Sequence, residues 1–92
     1  MMDILYKNEP IGKMSNTYNE EYWVHGDFTP YSAYYKYKSF FDALVCEEGM
    51  DETQFDQALF DENNWFVNVD DETIGIWMPA IYEDGDISIR YR

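Results

Sequence analysis

The end of the chain constrains the fold most. Ile81-Tyr82, then Glu83-Asp84-Gly85-Asp86, then Ile87 to Tyr91 read as two β-arms around a tight turn, with Asp84-Gly85 suited to its backbone. In the second arm Ile87, Ile89 and Tyr91 alternate with Ser88, Arg90 and Arg92. One face of that arm therefore enters a core and the other meets water. Hairpins of this kind pair antiparallel, and the rest of the chain has to fit such a sheet.

More strand material lies at both ends. Ile4-Leu5-Tyr6, the turn Asn8-Glu9-Pro10 and Ile11 to Met14 form a second candidate hairpin, ended by the polar break Ser15-Asn16-Thr17. Tyr22-Trp23-Val24-His25-Gly26 is aromatic and β-branched, a third strand. Trp65 to Val69, the turn Asp70-Asp71-Glu72 and Ile74 to Met78 give another pair of arms, with Pro79 at an edge or a strand break.

The middle reads as helix. Thr29-Pro30 has the chemistry of a helix start, and Tyr34, Tyr37, Phe41, Leu44 and Val45 follow at helical spacing, with Gly49 as the stop. Asp51 with Gln54 reads as a capping box for a second, short helix carrying Phe55, Ala58 and Leu59. The expected fold is one α+β domain over residues 1–92: an antiparallel sheet of about five or six strands with two central helices on one face, in the order β-β-β-α-α-β-β-β.

Charge is segregated along this chain. Of nineteen acids, Asp3, Glu9, Glu20, Glu21 and Asp27 lie early, which leaves fourteen in residues 42–86, a stretch without one Lys or Arg. The six bases are Lys7, Lys13, Lys36, Lys38, Arg90 and Arg92, and the net charge is −13. Ordinary surfaces intersperse both signs, whereas a single-sign field repels itself and draws cations. Disorder does not explain it: 46% of residues are hydrophobic and 20% aromatic, and Phe55, Leu59, Trp65, Phe66, Ile74, Ile76 and Trp77 sit among the acids.

The function expected from this pattern is a non-enzymatic acidic binding protein that docks on a basic protein and occludes it. A nuclease toxin or a nucleic-acid-binding protein would be such a partner. Small acidic immunity proteins and nucleic-acid-mimic inhibitors work this way, and the likeness is one of charge and size rather than motif. The candidate patch is Glu47, Glu48, Asp51, Glu52, Asp56, Asp61 and Glu62, with Tyr31 and Tyr35 as aromatic anchors off the centre of the helical stripe. The competing reading of the acids is a solvated surface that keeps a small protein soluble. For the two tyrosines it is cover for a sheet edge.

Two other classes remain open. The turn acids Asp70-Asp71-Glu72 and Glu83-Asp84-Gly85-Asp86 would serve a small metal-binding protein or enzyme if the two tips met, although neither has the order of a calcium loop. A tyrosine-rich surface away from the acids would instead serve a structural homo-oligomer. His25 and Cys46, the single histidine and single cysteine, are too few for a zinc site and lie in different elements; a structural role suits both. There is no glycine-rich phosphate loop, no Gly-x-Ser-x-Gly and no His-Glu-x-x-His. No cofactor is expected, nor direct contact with nucleic acid or membrane. One cysteine and an N-terminus without a basic region or a long apolar run fit a cytoplasmic protein.

Overall fold

The computed structural model describes residues 2–45 and 52–92. Seven strands dominate it: β1 (Met2–Tyr6), β2 (Glu9–Glu20), β3 (Trp23–Pro30), β4 (Trp65–Val69), β5 (Glu72–Gly75), β6 (Ala80–Ile81) and β7 (Asp86–Arg90). They form one antiparallel sheet in the order β5-β4-β1-β2-β3-β7-β6. The sheet curls into a half-barrel, and the segment from Glu72 to Ile81 brings its ends together. That segment pairs first with β4 and then turns to β7: Ile76 bridges Tyr91, the Trp77 amide donates to the Arg90 carbonyl, and the Arg92 amide donates to the Gly75 carbonyl.

Alternation puts the core on the concave face. Ile4 and Tyr6, Val24 and Phe28, Trp65 and Val67, and Ile87 and Ile89 all point inward and are buried. In β2 the alternation breaks at Ile11-Gly12, both buried, where the register with β1 shifts. Gly12 is needed there, because a Cβ would stand 2.3 Å from the Phe28 ring and 2.8 Å from the Thr29 carbonyl oxygen.

Residues 31–45 and 52–64 cover the concave face. The one α-helix described, α1 (Lys38–Leu44), inserts Phe40 and Phe41 beside the fully buried Trp65, whose indole N–H donates to the Leu59 carbonyl at 2.9 Å. Tyr34, from the 3-10 turn Ser32–Lys36, joins them against Phe28. Further 3-10 turns follow at Glu52–Gln54, Gln57–Phe60 and Glu62–Asn64. No helix among the described residues is long and apolar enough to cross a membrane.

The expected α+β fold of five or six strands with two central helices is therefore corrected to a curled seven-strand sheet under a cover of one short helix and isolated turns. Two local causes stand out. Thr29-Pro30 ends β3 rather than starting a helix, because β2 extends to meet it, Lys13 opposite Thr29 and Gly12 opposite Pro30. In the second half, Asp56 and Asp61 each accept a hydrogen bond from the backbone two residues on, at Ala58 and Asn63. Such side-chain bonds compete with helical ones and restart the chain at each aspartate. The expected stop at Gly49 and cap at Asp51 lie outside the described residues. The polar break at Ser15-Asn16-Thr17 is a second correction: β2 runs through it with a bulge, and Asn16 takes the left-handed conformation at φ 52°.

Candidate functional site

The expected acidic patch is only partly in view. Glu47, Glu48 and Asp51 lie outside the described residues, and Glu52 opens the turn Glu52–Gln54. Asp56 and Asp61 are exposed, and each caps its own 3-10 turn. Both act on the phenol of Tyr6, which is pushed above its ordinary value first by burial and then by the charges of Asp56 and Asp61. Glu62 beside them is half-buried. The two tyrosines make their contacts elsewhere. Tyr31 donates its hydroxyl to Asp3 Oδ1 at 2.8 Å, and that bond, more than burial, raises its pKa. Tyr35 is exposed, with its ring against the edge of Tyr34.

Asp56 borders a cleft of about 560 Å³ with Tyr6, Lys7, Glu9 and Tyr37. Charge is matched on its far side. Lys36 reaches Glu9 Oε2 at 2.9 Å and Tyr37 donates to Glu9 Oε1 at 3.1 Å. The Lys36 bond first, and the Tyr37 bond second, hold the Glu9 carboxyl below its ordinary value.

Little of the basic charge reaches the acidic half. Among the described residues there are two ion pairs, Lys36–Glu9 and Lys38–Asp42, the latter at 2.7 Å. Lys7 and Arg90 lie over the rings of Tyr6 and Tyr22. Arg92 is occupied by the sheet closure. Its Nε donates to the Ile76 carbonyl at 2.9 Å, Nη1 to Asn63 Oδ1 at 2.9 Å and Nη2 to the Trp65 carbonyl at 3.0 Å, while its guanidinium lies over Phe66. Asp42 is thus the one acid of residues 42–86 in an ion pair among those whose side chains are described.

The turn acids have local roles. Asp70 and Asp71 form the two-residue loop between β4 and β5, both left-handed at φ 50° and 67°, a backbone that aspartate tolerates better than most residues. Asp84 accepts from the Asp86 amide, with Gly85 left-handed at φ 92°. No grouping of three or more metal-capable side chains occurs among the described residues.

A second surface was missed by sequence reasoning. Beyond Met14, β2 pairs only with β3 among the described residues, so the far half of this hairpin extends past β1. Tyr18, Tyr22 and Trp23 are 59%, 74% and 40% exposed there. On the outward face, Tyr18 stands opposite His25 and His25 opposite Ser88. The rings of Tyr18 and His25 are 5.3 Å apart, and His25 Nδ1 and Ser88 Oγ share a hydrogen bond of 2.7 Å. His25 is thus a strand residue, as expected, and one of its nitrogens is hydrogen-bonded; Cys46 lies outside the described residues. The next pair along the strands is Asp27 opposite Asp86. The alternation of Trp23, His25 and Asp27 with Val24, Gly26 and Phe28 was available in the sequence. What hid the surface was the reading of Ser15-Asn16-Thr17 as a break, which left Tyr18 without a strand. No protein-family model, curated protein or solved structure matches this chain.

Proposed function

We propose that this chain is a non-enzymatic binding protein that docks on a basic protein and covers its cationic surface. One observation carries the reading: of the acids in residues 42–86 whose side chains are described, which leaves aside Glu47, Glu48, Asp51 and Glu52, only Asp42 is held by a cationic side chain. Arg90 and Arg92, the bases that follow the segment, are turned to a ring and to the sheet closure instead. A field left unmatched in this way speeds encounter with a cationic partner and weakens as salt rises. The local roles of Asp56, Asp61, Asp70 and Asp84 explain why aspartate suits those positions, and they leave the charge itself in place.

The test separates cap from charge. Asparagine caps a helical turn about as well as aspartate, so Asp56→Asn/Asp61→Asn/Glu62→Gln keeps the turns and removes three charges. Wild type and variant are used in parallel to capture partners from source lysate at low salt, with elution by a salt gradient. A basic protein that wild type retains, and that leaves the variant at lower salt, supports the reading. No specific partner at any salt, or equal retention by both, refutes it.

Self-association is the second reading, favoured by the exposed Tyr18 on the half of β2 that pairs on one side only among the described residues, with Tyr22 and Trp23 exposed beside it. A mass that rises with concentration and is insensitive to salt would select it.

A further inference from the structure

Asp27 and Asp86 face each other directly across β3 and β7 and are exposed on the same outward surface. Like charges in this position destabilise a sheet. Among the described residues no cationic side chain forms an ion pair with either; Asp27 accepts one hydrogen bond, from Asn16 Nδ2 at 2.8 Å. The pair lies at a notch of about 140 Å³ that Tyr18, His25, Tyr82 and Ser88 also line. Aromatic rings beside two unmatched carboxylates are complementary to a flat, delocalised cation, which stacks on a ring while its N–H groups bond the carboxylates. The same hairpin already shows the aromatic half of this arrangement: Arg90 lies 5.4 Å from the centre of the Tyr22 ring.

We propose that this notch seats one arginine side chain of the basic partner, its guanidinium bridging Asp27 and Asp86 beside Tyr18 and Tyr82. The proposal rests on the binding function above and adds where the partner is gripped. It adds a point of contact on the outer face of β3 and β7 to the charged turns around Asp56 and Asp61. The aromatic walls favour a guanidinium over a bare metal ion, which takes oxygen ligands and gains little from a ring.

The test is an amide-resolved NMR titration with a blocked Gly-Arg-Gly peptide, with blocked Gly-Lys-Gly, sodium chloride and calcium chloride as comparisons. The arginine peptide is expected to shift Gly26, Asp27, Asp86 and Ser88 in a saturable way, and more tightly than the lysine peptide. Asp86→Asn and Tyr82→Ala should each weaken it about fivefold, as lost charge-assisted and cation–π contacts do. Asp86→Asn should also raise the melting temperature at low salt, because it relieves the repulsion with Asp27, and this gain should shrink as salt is added. Shifts spread over all acids without saturation would overturn the proposal. So would arginine binding untouched by Asp86→Asn, equal binding of the lysine peptide, saturable calcium binding in its place, or a melting temperature lowered by Asp86→Asn. Partner capture read with Asp86→Asn keeps the two levels apart: a basic partner held equally by wild type and this variant leaves the binding function standing and removes the arginine seat.

Discussion

Two regions of this molecule are rich in aromatic residues, and they use them in opposite ways. In the core beneath the cover, Tyr34, Phe40 and Phe41 of the cover and Trp65 of β4 are all less than a tenth exposed and touch one another edge-on or stacked. In the far half of the β2–β3 hairpin, Tyr18, Tyr22 and Trp23 stand in solvent. Composition does not distinguish the two. The difference lies in what surrounds each ring: the cover lies over a concave face, whereas among the described residues the outer face of the hairpin has no layer on top of it and loses β1 as a neighbour after Met14. Rings in the cover hold the fold together, and rings on the hairpin are available to a partner.

The largest effect should come from the core beneath the cover. Trp65→Ala removes a fully buried ring and orphans the Leu59 carbonyl, and is expected to cost about 3–5 kcal/mol in urea unfolding. Trp23→Ala, on the hairpin, should change stability by less than about 1 kcal/mol, as exposed substitutions do. Equal losses at the two sites would break the comparison.

Next comes the clasp that joins the sheet ends. Arg92→Ala leaves the Ile76 and Trp65 carbonyls without this donor and should cost about 1–3 kcal/mol. Gly75→Ala should mimic part of that loss, since a Cβ there would stand 2.4 Å from Arg92 Nη2. Denaturation of both variants against wild type checks this. If Arg92→Ala were neutral, the closure would owe its stability to the backbone bonds alone.

A smaller effect separates the two roles of the turn aspartates. Asp56→Ala should cost about 1 kcal/mol by loss of the cap, whereas Asp56→Asn should cost almost nothing. Thermal melts of the pair decide it.

The gentlest test is pH. Burial raises the phenols of Tyr6, Tyr34 and Tyr37, and the Asp3 bond raises that of Tyr31. A group raised by folding adds stability that is complete below its unfolded value, about 10 for tyrosine, and is lost as pH rises through the folded value. Alkaline unfolding should therefore begin above about pH 10 and coincide with tyrosinate absorbance from these four residues. Glu9 has the opposite sign: its lowered value adds stability above the ordinary carboxylate range that disappears as pH falls through the folded value. Its exposure and the screening of its partner Lys36 make that contribution small.

The strands were largely legible because period-2 alternation is a local signal: Ile87, Ile89, Trp65 and Val67 all turn inward as their spacing predicts. The helices were not, because the same aromatic spacing fits a string of short turns. Asp56 and Asp61 decide between the two through side-chain bonds that a periodicity count does not register. The acidic segregation was plain in the sequence, but the facing of Asp27 and Asp86, distant in the chain, depends on β3 pairing with β7. Likewise, nothing local told that Arg92 would bind carbonyls rather than acids.

The most direct test of the central claim is kinetic. Association of the chain with a basic protein recovered by the capture experiment would be followed at low and at physiological salt. The account predicts an on-rate that falls at least about tenfold with added salt while the off-rate changes little, the mark of electrostatic steering. An on-rate indifferent to salt would show that the unmatched acids do not guide binding, and would contradict it.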